Sequence, residues 1–299
     1  MNTGMRLLLY PTIGAGAGCE RALDLAERDV REQEARFSRF LPDSELSQLN
    51  RSAGRWLRPS AEMLQVLTLA QQMHDETGGL FNPGVLPALE WSGYDRSFEL
   101  LPADRPASRI ALLSAAGIEA LQVVGERVRL SIGCRLDLGG IVKGWTADRA
   151  ADALSDLGPT LVDLGGDMAV RGRPPGGAWQ VGVESPDANS TVATMLAVQE
   201  GGVATSGTVR RRWRAGQAVL HHIIDPRTGT PASSDVVQAV ARATSAVRAD
   251  VWAKTAVILG RDGCEELLQR KPGIDFMLFA ADGAVTATAG ISFVGSRAA

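Results

Sequence analysis

Two copies of one tetrapeptide, Asp137-Leu138-Gly139-Gly140 and Asp163-Leu164-Gly165-Gly166, stand 26 positions apart (163 − 137 = 26). Each comes after an apolar run, and the interval between them holds one helix. A glycine pair lets backbone N–H groups approach a ligand closely, and the N-terminus of a following helix adds partial positive charge that suits a phosphate. Lys143, three residues past the first pair and at the start of the expected helix, adds a full charge. The same glycines would serve equally as tight packing turns, and the residues alone leave both readings open.

A second constellation is His221-His222-Ile223-Ile224-Asp225-Pro226-Arg227-Thr228-Gly229, an apolar strand followed by a turn with proline and glycine at turn-like places. Strand alternation would put His222 and Ile224 on one face and His221 and Ile223 on the other, so one histidine at most can face a shared site. Third, Asp250 lies on an otherwise almost wholly apolar helical stretch, with Lys254 four residues on. An exposed ion pair at that spacing would contribute only ~0.2–0.5 kcal/mol. The alternative is a hard-cation ligand, since Mg²⁺ is held by one or two carboxylates together with substrate phosphates.

Helices and strands must position these groups. Leu23, Ala26, Val30 and Phe37 predict a helix over 20–38, and Ser60 is a fit N-cap for a second helix that carries Met63, Leu64, Leu67 and Ala70 and ends at Gly78-Gly79. Residues 37–46 read as a polar loop between them. The irregular stretch 91–108, with two prolines and Gly93, is the candidate connection between lobes, and 110–115 reads as helical. Strands are predicted at 7–10, 121–124, 128–130, 135–138, 161–164, 179–183, 195–199, 219–224, 236–240, 276–279 and 284–288, and further helices at 143–157, 246–259 and 263–271. Many hairpin-like neighbours and few helices favour α+β over a regular βαβ alternation.

Composition narrows the partners. At 299 residues, 45% hydrophobic and 22% charged, the chain is ordinary globular material, long enough for one large domain or two smaller ones. A net charge of −3 argues against nucleic acid as the main partner, and Arg210-Arg211-Arg212-Trp213-Arg214 reads as a solvated strand or loop face. Cys19, Cys134 and Cys264 are odd in number and far apart, which suits reduced, buried thiols. No apolar run approaches the ~18–20 residues that cross a bilayer, so no membrane span is expected. Pro11 and the small residues 14–18 leave too little apolar core for a signal peptide, which points to a cytoplasmic location, with the mature form of an exported protein as the alternative. That glycine run is not a nucleotide fingerprint either, because Cys19 stands where the third glycine belongs.

In their order, seven blocks resemble the ApbE-type FAD:protein FMN transferases. They begin with Phe37-Ser38-Arg39-Phe40-Leu41-Pro42-Asp43-Ser44-Glu45-Leu46-Ser47-Gln48-Leu49-Asn50 and continue through Thr77-Gly78-Gly79-Leu80-Phe81-Asn82-Pro83. Next come Leu136 to Asp148 with the first glycine pair, Val162 to Asp167 with the second, and Val203-Ala204-Thr205-Ser206-Gly207. The turn after His222 and the helix carrying Ala249-Asp250 complete them. The resemblance implies a single ApbE-like domain over 1–299, with mixed, mostly antiparallel sheets and packed helices, and two lobes with the FAD cleft between them as one arrangement. It implies that Ser44, Glu45, Asn82, Gly139, Gly140, Lys143, Gly165, Gly166 and Asp167 line that cleft, with Thr205, Ser206 and Gly207 near it. The Val142 carbonyl and Asp250 would hold Mg²⁺. A threonine or serine hydroxyl of an acceptor protein would attack the FMN-side phosphorus of FAD, with His222 as base, Asp225 as its orienter and AMP as the leaving group.

Two residues depart from the family pattern. Asn82 stands where an aspartate is usual, which removes a charge. Lys254 stands where an oxygen ligand is expected four residues after the metal-site aspartate, and an ammonium has no lone pair to give a metal. The neighbouring Thr255 is rotated by about 100° on an ideal helix and cannot simply take over. The sequence therefore leaves three outcomes: Mg²⁺ held by Asp250, a carbonyl near Val142 and phosphate; Lys254 itself neutralising the pyrophosphate; or FAD bound without turnover. A FAD pyrophosphatase, with water in place of the acceptor hydroxyl, is a further alternative.

Overall fold

The computed structural model describes residues 4–12, 16–52, 54–101, 104–105, 117–187, 191–269 and 273–295. The chain forms two compact units, one of Met1–Gln33, Ile141–Gly207 and Asp235–Ala299, the other of Glu34–Gly140 and Thr208–Ser234. The stretch 91–108 lies inside the second unit, where its described residues include the 3₁₀ turn Phe98–Leu100 and the short strand Asp104–Arg105. The expected helix at 110–115, part of the 14–18 run and Lys271 lie outside the described residues.

The first unit is built on a seven-stranded sheet in the order Met5–Leu9, Thr160–Leu164, Asp167–Arg171, Gly201–Gly207, Val236–Ala243, Asp275–Ala280, Val285–Ala287. Every neighbouring pair is antiparallel. Successive side chains point to opposite faces, and the register uses this strictly. Leu161 and its partner Val170 join Trp179, Val181, Leu196, Val240, Met277 and Phe279 in the core beneath the hairpin Trp179–Glu184/Val192–Val198. Their neighbours Val162 and Ala169 point the other way, into a core with Ala26 and Val30 of the helix Gly16–Phe37, Ala147, Ala150 and Leu154 of the helix Val142–Ser155, and Ala246. The helix Ala246–Leu268 is interrupted at Gly260, which matches the two separate helical runs read in the sequence.

The helix-side core is alanine-rich because the Val142 and Ala246 helices cross at very short range. A Cβ on Gly144 would sit 2.5 Å from the carbonyl oxygen of Ala246, and one on Gly202 would collide with the Ala246 nitrogen. Gly144→Ala is accordingly expected to lower stability by about 2 kcal/mol or more, since backbone cannot move aside as a side chain can. Denaturant unfolding at unchanged m-value is the check. The strands Asp167–Arg171 and Gly201–Gly207 were not anticipated, and the second is made largely of small residues chosen by this close approach rather than by strand preference.

In the second unit the helices Glu45–Arg51 and Ala61–Glu76 are joined by caps. Ser60 caps the second helix by accepting from Met63 N at 3.2 Å, and Glu45 accepts from the Ser60 N–H at 2.6 Å and its hydroxyl at 2.7 Å. The region 37–46 is thus a loop only up to Ser44, which itself caps the Glu45 helix through Ser47 N. Residues 135–138 are not a strand. Their backbone is held by a side chain instead: Asn50 donates to Leu136 O at 2.9 Å and accepts from Leu136 N at 2.8 Å. The run 219–224 also breaks, into Ala218–His221 and Ile224–Asp225. Arg212–Ala215 is a strand whose arginines face outward around buried Trp213, as the solvated-face reading expects. All three cysteines are free and buried, and no described helix is long and apolar enough to cross a membrane.

Candidate functional site

In the first unit the two carboxylates of Asp167 and Asp250 are buried together with two lysines. Asp167 begins the strand after the second glycine pair, and Asp250 lies in the second turn of the Ala246 helix. They are 1% and 2% exposed. Lys143, in the first turn of the Val142 helix, donates to Asp167 Oδ2, and Lys254 Nζ lies 3.7 Å from Asp250 Oδ1. Burial first, and the charge of Asp250 second, raise the Asp167 carboxyl to about 7, against the pull of Lys143 and Lys254. Asp250 Oδ2 accepts no hydrogen bond among the described residues.

An unsatisfied buried carboxylate oxygen beside a second carboxylate is the donor set that a hard cation completes. No third histidine, cysteine or acidic residue joins them among the described residues, so any further ligands must be carbonyl, phosphate or water oxygens. Thr255 does not contribute one, because its buried hydroxyl donates to Val251 O at 2.9 Å. The residues present fit Mg²⁺ as a two-carboxylate ion.

The raised Asp167 carboxyl has a consequence for the metal-free protein. An unfolded aspartate titrates near ~3.9, and the folded one near 7, so the native state holds a proton that the unfolded chain has released. The stabilisation from this group is complete below the unfolded value and is lost as pH rises through 7. Denaturation at pH 5 and pH 8 should show this fall in the wild type, and Asp167→Asn should flatten it.

The Ala246 helix is fixed by its N-terminus. Asp148, on the Val142 helix, accepts from the N–H groups of Ala246 at 3.0 Å and Val247 at 2.9 Å, and from Arg171 at 3.0 Å, while Ser245 caps Arg248 N. Burial raises the Asp148 carboxyl, and these donors oppose the shift. Nothing in the local pattern singles out Asp148 beyond its place in the block Leu136 to Asp148.

The repeated tetrapeptide has two different structures. Gly165 and Gly166, at φ 68° and 93°, form the two-residue turn between Thr160–Leu164 and Asp167–Arg171, a hairpin that needs positive φ at both positions. The Gly166 N–H donates to Asp163 Oδ1 at 2.8 Å, and a Cβ there would meet nothing within 4 Å. Gly139 lacks positive φ, and its N–H donates to Asp137 Oδ1 at 2.7 Å in an irregular segment of the second unit. Only this first copy leads into a helix. Thr205 is exposed on its strand, and Ser206 and Gly207 are half-buried.

The second unit carries the other expected residues. Its two histidines differ sharply. His221 is buried, accepts from Ile223 N at Nδ1 and sits 3.0 Å from Ala232 O through Nε2. Those partners fix a neutral ring with its proton on Nε2, and burial holds its pKa below the ordinary value. His222 is half-buried with its ring edge-on to Tyr94, centroids 6.4 Å apart. Asp225 places both carboxylate oxygens on Arg227, at 2.6–3.2 Å, so it clamps its own turn rather than standing free as an orienter. Ser44 and Glu45 serve the caps of the two helices of this unit. Asn82 accepts from Gly84 N and Ile118 N, which is structural work that its amide performs without the missing charge.

Arg39 was missed as a candidate although it lies inside the first resembling block. It is nearly buried, pairs with Asp137 at 2.9 Å, donates to Tyr94 O at 2.9 Å and lies over the rings of Phe40 and Tyr94 at 4.1 and 4.7 Å. Tyr94 in turn packs on Trp213 at 5.6 Å, and burial raises its hydroxyl pKa. Together these give the second unit an aromatic and cationic wall beside His222.

Known proteins repeat this arrangement. The sequence pattern of the ApbE family matches residues 1–278. An FAD:protein FMN transferase of Treponema pallidum (strain Nichols) is 32% identical over 284 residues, 88% of this chain and 78% of that protein. The FAD:protein FMN transferase of Salmonella typhimurium (strain LT2) is 26% identical over 276 residues, 88% of this chain and 79% of that one. The crystal structure of the ApbE protein of Thermotoga maritima MSB8 shares the fold at a TM-score of 0.83 and 26% identity, over 96% of this chain and 94% of that one. With the family pattern running from the first residue to 278 and the fold reproduced over nearly the whole length, this chain belongs to the ApbE family.

Proposed function

We propose that the chain transfers FMN from FAD to a threonine or serine hydroxyl of an acceptor protein and releases AMP. The observation that carries the reading is the buried pair Asp167 and Asp250, with one carboxylate oxygen of Asp250 left without a donor, in a chain whose relatives bear that name. The acceptor oxygen attacks the phosphorus on the FMN side, the bond to the AMP phosphate breaks, and AMP leaves with the bonding electrons. His222 takes the hydroxyl proton. Such chemistry asks mainly for positioning and charge neutralisation. Mg²⁺, when held by Asp250 with Asp167 and the Val142 carbonyl, supplies neutralisation of the phosphate oxygens.

Within the expected FAD-binding set, Gly139, Gly140, Lys143, Gly165, Gly166, Thr205, Ser206 and Gly207 face the ligand, whereas Ser44, Glu45 and Asn82 hold the frame around it. The wall of Phe40, Tyr94 and Arg39 suits a planar ring. The whole chain acts as one functional domain.

The test mixes purified protein with FAD, Mg²⁺ and an acceptor bearing the target hydroxyl. AMP release with flavin fluorescence that stays on the acceptor through denaturing electrophoresis is expected. Free FMN instead would assign water as the nucleophile, and tight FAD binding without AMP would make the protein a flavin carrier.

A further inference from the structure

Lysine is rare in this chain: Lys143, Lys254 and Lys271 are its three, against 28 arginines among 31 basic residues (31 − 3 = 28). Two of the three stand on the buried carboxylates, Lys143 on Asp167 and Lys254 near Asp250. Elsewhere the molecule builds its closest ion pairs with arginine, as in Arg39–Asp137, Arg171–Asp148 and Arg227–Asp225. A guanidinium is a planar fork that locks onto a carboxylate, while an ammonium is a compact point charge on a flexible stem, the side-chain group nearest to a metal ion in shape. Lys254 holds Asp250 loosely. At 3.7 Å it lies outside hydrogen-bond range, and the other carboxylate oxygen has no donor among the described residues. Its side chain is 22% exposed against 3% for Asp250, so the ammonium has a route outward that the carboxylate lacks.

We propose that Lys254 is an internal counter-ion that competes with a divalent cation for Asp250, so that the metal binds only as the ammonium withdraws. The inference rests on the reading of Asp167 and Asp250 as a cation site and adds that free metal binds weakly to the protein alone. A cation delivered already paired with a phosphate brings the oxygen charges that receive the displaced ammonium, and so binds in preference.

Mn²⁺ titrated into the full chain without FAD, followed by calorimetry, tests this. Lys254→Met should bind Mn²⁺ about tenfold or more tightly than wild type, because a positive charge beside the ligand is gone. Lys254→Arg should not show the gain, and adding Asp250→Asn to Lys254→Met should abolish it. Equal affinity in wild type and Lys254→Met overturns the competition while leaving Asp250 as a ligand. Absence of Mn²⁺ binding in both overturns the competition and the cation reading together. A gain that survives Asp250→Asn also overturns it. Should Lys254→Met fail to fold, the wild type still decides: with lysine labelled at ¹³Cε the chain gives three signals, and that of Lys254 must shift on saturation with Mg²⁺. An unmoved signal at saturation overturns the proposal.

Discussion

Asp250→Asn is expected to reduce Mg²⁺-dependent AMP release and acceptor flavinylation by about a hundredfold to a thousandfold, the loss typical of removing one preorganised charge-stabilising group. The substitution conserves volume, so packing in the Ala246 helix is preserved, and it removes the one buried carboxylate oxygen that lacks a donor. The metal-free protein should therefore be no less stable than wild type. Because the charge of Asp250 is the second-largest influence raising the Asp167 carboxyl, the variant should also lower that pKa and narrow the pH range over which stability falls. Kinetics and thermal melts across pH check the two halves. A variant that keeps full Mg²⁺-dependent activity would remove Asp250 from the site, and a variant that unfolds would make it a structural residue instead.

Much of the first unit was legible in the sequence because its signals are local. The helix Val142–Ser155 and the strands Trp179–Glu184 and Asp275–Ala280 follow from period and composition alone, and in the second unit Ser60 announces its helix by the cap it forms. Misread elements were those decided by distant partners. Residues 135–138 look like a strand, but Asn50, far away in sequence, takes their backbone groups. Gly201–Gly207 lacks strand-forming bulk because the Ala246 helix packs against it. The identical tetrapeptides take different shapes for the same reason. One is closed by antiparallel pairing into a hairpin and the other runs unpaired into a helix, a difference set by the segment after each copy and not by the four shared residues.

The candidate site shows the same division. Residue types and spacing were enough to single out Asp250, Lys254 and Lys143 as groups needing partners, since charges on apolar elements are costly unless paired. That Asp167 and Asp250 would share one buried place depends on the sheet order and on Asp148 pinning the Ala246 helix, neither of which any local pattern encodes. Arg39 and Tyr94 escaped notice because an arginine beside a phenylalanine is common, and what distinguishes this one is its burial against a ring 55 positions on (94 − 39 = 55).

The adjacent histidines permit a sharper experiment than either residue alone. His222→Gln is expected to lower the rate of FMN transfer by about a hundredfold to ten-thousandfold, the range for loss of a general base, with little change in FAD affinity. His221→Gln should behave in the opposite way. Its ring accepts from Ile223 N and faces Ala232 O across the break between Ala218–His221 and Ile224–Asp225, so replacing it costs stability and leaves the turnover of the folded fraction near wild type. The neutral tautomer fixed by those two contacts leaves His221 no free nitrogen with which to take a proton. Single-turnover rates, flavin binding and melting temperature measured on both variants separate the roles. If His221→Gln abolished transfer without loss of stability, or His222→Gln left the rate unchanged, the assignment of the base would pass from His222 to another group.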